Sequence, residues 1–282
     1  MNTPTAPATA QCIGRFAFTL PAGWAVAGRQ QKMYFTTLDD ALPPAAPGLS
    51  EADRTLAWLH QGLPPKAPLI RQFTLEGLGP AAWFGLGSAD SVDRRLVALA
   101  GPPATPLRME AMATKGREAI AEKGLRMIAA GYRPGARTGF CLSGGAMQLD
   151  PSRNETTELV AENAQLPDAR LTFATQAVAK PDETTTDSSA EIANAAGLGA
   201  KLRILHQGPR MVAGLAGHEL LGELTRPGAA SRLIFRFAFA GKPRQATEPS
   251  MTVMLQGPAT QQAALDAAWQ GMLGSLQPVP PR

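Results

Sequence analysis

Five side chains of this 282-residue chain belong to the types that most often perform catalysis or bind metals: three histidines and two cysteines. The histidines are His60, His206 and His218, and the cysteines are Cys12 and Cys141. Zinc sites need a second ligand at a fixed spacing, such as a histidine four residues after His218 or a second cysteine in C-x-x-C. Neither spacing occurs, so we predict no metal site.

The serines and glycines suggest no other chemistry. Ser88 in "GLGSAD" and Ser143 in "CLSGG" lack the G-x-S-x-G pattern of a nucleophilic serine. The segments "GLGPAAW" and "GLGAKL" begin like a dinucleotide-binding loop but lack its third glycine. We therefore predict no catalytic residue and no cofactor. A chain without these motifs is more typical of a binding protein than of an enzyme.

Charge and hydropathy exclude two further classes of function. The chain has 27 basic and 23 acidic residues, which are scattered and do not form a basic stripe, so nucleic-acid binding is not indicated. No run of 18 apolar residues exists, so no transmembrane segment is expected. The N-terminus "MNTPTAPATAQ" has no apolar signal region, which indicates either a cytoplasmic protein or a mature chain whose leader has been replaced.

The two cysteines occupy similar positions in two similar segments. Cys12 leads into "IGRFAFTL" and Cys141 into "LSGGAMQL", each of which contains a short strand-like run. Two interpretations stay open at this point. The thiols are unrelated buried residues of a cytosolic protein, or they form a bridge in an oxidising compartment.

The hydropathy pattern predicts an α+β protein with two similar domains. In the first half, "RFAFTLP" and "KMYFTTL" (32–38) are predicted strands, Ser50 is a predicted helix N-cap, four strands follow, and 115–131 is a predicted helix. The second half repeats this order, with a helix that begins in a capping box at Ser188 and a last helix that places Leu265, Trp269, Met272, Leu273 and Leu276 on one stripe.

Each domain is therefore expected to follow a β-β-α-β-β-β-β-α plan, in which a mainly antiparallel sheet packs against helices. The run "GYRPG" ends the helix of the first half and indicates a domain boundary. We predict a disordered or artificial N-terminus at 1–11, an N-terminal domain at 12–136 and a C-terminal domain at 137–282.

Several segments resemble a known family when they are taken in order. They are "CIGRFAFTLPAGW", "GFCLSGGAMQL", "VAGLAGHELLGEL", "FRFAFAGKPRQATEPSMTVML" and a closing helix with Trp269. Together they resemble the two-domain immunity proteins that protect bacteria from lipase effectors of the type VI secretion system. The resemblance covers most of the chain after Cys12 and is densest in the second half.

The resemblance implies a periplasmic protein that binds a cognate secreted lipase or phospholipase and inhibits it, with both domains clamped over the lid or active-site region. It also favours a Cys12–Cys141 disulfide, and a structural role for Gly217, His218 and Glu219. Membrane association would need a leader that this sequence lacks.

The residues that contact the lipase stay unknown; candidate loops are 37–50, 85–95, 180–189 and 241–250. The alternative is a small-molecule or lipid-binding module of the cell envelope.

Overall fold

The computed structural model describes residues 7–40, 48–88, 90–102, 106–151, 154–178 and 199–281. These residues form two compact units. Unit 1 comprises the described residues of Met1–Arg29 and Glu155–Val279, and unit 2 those of Gln30–Asn154 and Pro280–Arg282. Among the described residues, no helix has the length and apolar character needed to cross a membrane.

The elements alternate between runs of strands and single helices. The first eleven strands and two helices are β1 (Thr9–Ile13), β2 (Phe16–Leu20), β3 (Trp24–Met33), β4 (Thr36–Asp39), α1 (Glu51–His60), β5 (Leu69–Leu75), β6 (Gly79–Gly85), β7 (Asp93–Ala100), β8 (Leu107–Thr114), α2 (Glu118–Gly131), β9 (Tyr132–Pro134), β10 (Phe140–Cys141) and β11 (Gly145–Met147).

The remaining elements belong to unit 1. They are β12 (Thr156–Asn163), β13 (Arg170–Gln176), β14 (Lys201–Val212), β15 (Leu215–Thr225), β16 (Arg232–Phe239), β17 (Ser250–Pro258), α3 (Gln262–Ser275) and β18 (Gln277–Pro278). A short 3-10 turn over Ala259–Gln261 leads into α3. The helix predicted to begin at Ser188 lies outside the described residues.

In its described residues, unit 1 contains a large antiparallel sheet with helix α3 packed on it, and the small sheet β1-β2-β18. The strands of the large sheet follow the order β14-β15-β16-β17-β13-β12, with the Trp24–Arg29 part of β3 beside β12. The predicted stripe of α3 is buried in one core with alternate residues of β13, β16 and β17. The predicted strand at Phe16, Phe18 and Leu20 adds its buried face to the same core. Burial of each such side chain stabilises the fold by about 1.5–3 kcal/mol.

Unit 2 is a sheet with helices on both faces. Its strand order is β4-β8-β7-β6-β5, and Gln31–Met33 of β3 pair with β4. Successive residues of a strand point to opposite faces. In β7, Leu96 and Ala98 join the core that contains Leu125 of α2, while Val97 and Leu99 join the core that contains Leu59 of α1. This explains why β7 is an almost continuous apolar run.

The predicted α+β class is confirmed, and so is the N-cap of α1. The Oγ of Ser50 accepts a hydrogen bond from the backbone N–H of Asp53 at 3.1 Å. The single strand predicted over 32–38 is wrong. The chain reverses at Tyr34 and Phe35, so that segment contains the end of β3, a two-residue turn and β4.

The two compact units do not follow the predicted sequential division at 136/137. Unit 2 continues to Asn154 because Tyr132, Phe140 and Met147 of the small sheet β10-β11-β9 belong to the same core as α2. Unit 1 takes its first strands from the N-terminal segment, and β1 begins at Thr9, inside the predicted 1–11 terminus. The division into 12–136 and 137–282 as separate immunity domains stays a prediction.

Candidate partner-binding surface

The histidines lie on separate elements in different surroundings. His60 ends α1, and its ring packs edge-on against Phe84 with ring centroids 4.6 Å apart. His206 on β14 and His218 on β15 are exposed in unit 1. In the part of the chain that the structure describes, no three His, Cys, Asp or Glu side chains come together as a metal site.

The two serines singled out in the sequence have local partners. Ser88 is exposed and its carbonyl accepts from the N–H of Ser91 at 3.0 Å. Ser143 donates its hydroxyl to the backbone oxygen of Asp40 at 3.1 Å and its N–H to the carboxylate of Asp40. Burial, and secondarily the same carboxylate, raises the pKa of Tyr132, so this phenol stays neutral. These contacts brace unit 2.

Cys12 and Cys141 form a disulfide. Cys12 lies in β1 of unit 1 and Cys141 ends β10 of unit 2. The Cys12–Cys141 bond answers the question left open by the sequence, because it excludes two unrelated thiols.

Gly217, His218 and Glu219 are consecutive residues of β15 with three different environments. A Cβ at position 217 would lie 2.5 Å from Cζ of Phe237 and 2.6 Å from the carbonyl oxygen of Ala238, so only glycine fits there. His218 is exposed. The Glu219 carboxylate accepts hydrogen bonds from Nε1 of Trp269, at 2.5 Å, and from Arg210. We propose that Gly217 and Glu219 have structural roles.

Replacing Glu219 with Ala should lower the free energy of unfolding by about 1–3 kcal/mol, because the buried indole N–H of Trp269 then loses its acceptor. The neighbouring His218→Ala change is the control and should stay within about 0.5 kcal/mol, as is usual for an exposed residue. Urea unfolding followed by tryptophan fluorescence measures both. Equal effects of the two changes would contradict a structural role that is specific to Glu219.

The four candidate loops are only partly described. Residues 41–47, Ala89 and 180–189 lie outside the described residues. The loop at 241–250 is held by backbone hydrogen bonds from Lys242 to Glu248, at 2.8 Å, and from Arg244 to Val178, at 2.9 Å. The loop at 85–95 is held at its start by a bond from Gly85 to Pro68, at 3.0 Å. Their role in binding stays a prediction.

A surface groove of about 430 Å³ lies on unit 2, and none of its lining residues belongs to these four loops. It is bordered by the β3–β4 turn, the end of β8 and the first turns of α2, and we call it the Phe35 groove. Its lining consists of Tyr34, Phe35, Thr36, Ala111, Met112, Ala113, Thr114, Arg117, Ile120, Ala121 and Gly124. Only Arg117 among these residues carries a charge.

Three large apolar side chains around the Phe35 groove are exposed to solvent. Phe35 is 82% exposed, Ile120 71% and Met112 54%. Single exposed apolar residues are ordinary, but a cluster beside a groove is typical of an interaction surface. Sequence patterns missed Phe35, because "MYF" in "KMYFTTL" lacks the glycine or asparagine that usually marks a two-residue turn.

Solved structures with this fold include immunity proteins of the type VI secretion system (T6SS). The apo structure of immunity protein TplEi of the T6SS from Pseudomonas aeruginosa is 20% identical at a TM-score of 0.73, over 98% of this chain and 99% of that chain. A chain in the crystal structure of the Tle4–Tli4 complex is 18% identical at a TM-score of 0.72, over 98% of both chains. At these identities the likeness establishes the fold alone.

The family model of the Tle cognate immunity protein 4 C-terminal domain matches residues 135–279. Because this match covers just over half of the chain, the protein belongs to that family, whose members are immunity proteins rather than enzymes. No curated protein matches the chain in sequence.

Proposed function

We propose that this protein is an immunity protein that binds a cognate lipase effector of the type VI secretion system and inhibits it. The family match over residues 135–279 carries this proposal. The fold supports it over nearly the whole chain, since 98% of the chain matches both TplEi and a chain of the Tle4–Tli4 complex. The partner is therefore a secreted protein, and binding rather than chemistry is the activity.

The mode of inhibition that we propose is a clamp. A lipase that acts on membranes exposes apolar surface when its lid opens, and a bound protein that covers the lid or the active-site region prevents this step. Both units would contact the lipase in such a clamp. Tight inhibition needs a total buried area on the order of 1,600 Å² or more, with a few aromatic or arginine anchors.

We place this activity in the periplasm. Disulfides form and persist in oxidising compartments and are rare in the cytosol, and this chain uses both of its cysteines in one bridge. The bridge therefore supports export of the protein. It also supports a function that is exercised where a lipase delivered by a neighbouring cell would reach the membrane.

Co-expression tests the proposed function directly. The cognate lipase effector is directed to the periplasm of a test bacterium, with or without this protein in the same compartment. We expect the lipase alone to stop growth and this protein to restore it, whereas the same protein retained in the cytoplasm should give no protection. Growth arrest that is unchanged by the periplasmic form would refute the proposed function.

A further inference from the structure

We propose that the Phe35 groove is a docking surface for the lipase, and that its occupant is an extended apolar segment of the lipase with a carboxylate beside it. This inference rests on the proposed function and adds the place of contact and the chemistry of the partner. Three independent observations carry it. The β3–β4 turn has residues that do not suit its backbone angles, exposed apolar side chains cluster around Arg117, and the end of β8 extends beyond its pairing with β4.

The turn between β3 and β4 has an unusual composition for its geometry. Met33 pairs with Thr36, so Tyr34 and Phe35 alone form the loop, and their φ angles are +48° and +63°. Two-residue turns with positive φ at both positions strongly favour Asn-Gly and similar pairs, because a Cβ is strained in this region. Large aromatic residues at these two positions therefore destabilise the fold.

A second hairpin in the same chain has small residues at the two turn positions with positive φ. Val212 pairs with Leu215 across the β14–β15 turn, and its two central residues, Ala213 and Gly214, also have positive φ, at +53° and +79°. Here one central residue is glycine and the other is small. The contrast indicates that the Tyr34–Phe35 turn serves something besides chain reversal, and strained backbone of this kind concentrates at functional sites.

The two aromatic residues of the turn have different environments. The hydroxyl of Tyr34 donates to the backbone oxygen of Asp150 at 2.8 Å and so fixes the turn to unit 2. Phe35 instead projects into solvent and is 82% exposed. A large aromatic side chain on a rigid support loses little conformational entropy on binding, and it is the type of residue that anchors protein interfaces.

The rest of the groove defines the chemistry of the occupant. Ile120 and Met112 extend the apolar surface begun by Phe35, so the occupant must present apolar side chains. Arg117 lies at the start of α2 and, among the described residues, its guanidinium has no ion pair or hydrogen bond within the protein. A carboxylate on the occupant would complement this single charge of the lining.

The end of β8 explains why the occupant is extended. Strand β4 pairs with β8 only over Arg108–Glu110, whereas β7 pairs with β8 as far as Thr114. The last residues of β8, Ala111–Thr114, therefore continue past β4 and line the groove. An extended segment can add to such a strand end through backbone hydrogen bonds, while the neighbouring side chains select its sequence.

Binding measurements with a catalytically inactive form of the cognate lipase effector test the inference. We expect Phe35→Gly to weaken binding about 30-fold or more, the loss that an interface anchor produces. Its melting temperature should stay equal to or above that of the wild type, because glycine accepts the positive φ. Arg117→Glu should also weaken binding, and its loss should shrink as salt is added.

Met211→Ser is the matched control, since Met211 is 66% exposed and lies next to the β14–β15 turn of unit 1. Its affinity should stay within about 2-fold of the wild type, because most exposed side chains contribute little to binding compared with an anchor. Failure of the wild-type protein to bind would refute the proposed function itself. Wild-type binding with equal affinity for Phe35→Gly would overturn the docking surface alone.

Discussion

Replacement of Cys12 and Cys141 by alanine should lower the free energy of unfolding by about 4–5 kcal/mol. The bridge closes a loop of 130 residues, from Cys12 to Cys141. A cross-link over so long a loop removes a large part of the conformational freedom of the unfolded chain, and this effect grows with the logarithm of loop length. The figure is the upper limit of that entropic effect.

Urea unfolding under oxidising and reducing conditions measures this contribution. The wild type should shift to a lower midpoint when dithiothreitol is added and should then approach the double alanine variant. The variant itself should not respond to dithiothreitol, which controls for effects of the reductant on the rest of the protein. Equal midpoints for the wild type in both conditions would contradict the prediction.

Breaking the ion pair between Arg15 and Glu155 should have a comparable effect. Arg15 is 7% exposed and Glu155 3%, and the guanidinium donates through Nε and Nη2 to the two carboxylate oxygens at 2.9 and 2.7 Å. Glu155→Ala removes the carboxylate and leaves a buried guanidinium without this partner. The expected loss is about 3–5 kcal/mol of unfolding free energy.

Two further variants separate the pair from the burial of its side chains. The double change Arg15→Met with Glu155→Leu removes both charges and should recover most of the loss, because desolvation of two ions offsets much of their attraction. Lys242→Ala breaks the exposed pair with Glu248 and should cost no more than about 1 kcal/mol. If Glu155→Ala were as mild as Lys242→Ala, the buried pair would contribute little to unit 1.

The predicted elements agree with the structure where the signal is local. The stripe on α3, the alternation in β2 and the cap at Ser50 each depend on residues a few positions apart, and all three are present. Strands β3 and β12 are among those that the sequence analysis missed. After Trp24, strand β3 continues with the mostly exposed "AVAGR". Strand β12 is "TTELVAEN", in which polar and apolar residues come in blocks, so the sequence does not show the alternation of its buried face.

The Phe35 groove could not be predicted from local sequence patterns. Phe35, Met112 and Ile120 are separated by 77 and 8 positions in the sequence, and they meet only because β4 pairs with β8 and α2 packs on that sheet. No local pattern contains this information. The turn at Tyr34 and Phe35 could not be predicted either, because aromatic residues are typical of a strand. Only the pairing of Met33 with Thr36 shows that the chain reverses direction there.

The amino-acid sequence by itself determined the α+β class, the periodic buried faces and the order of segments that resembles lipase immunity proteins, because these properties depend on residue types and short spacings. The tertiary structure alone decided that Cys12 bonds to Cys141, that unit 1 combines the N-terminal segment with residues 155–279, and that an aromatic turn borders the end of β8. Those features depend on contacts between residues far apart in the chain. Such contacts are set by the summed burial of the whole core rather than by any one segment.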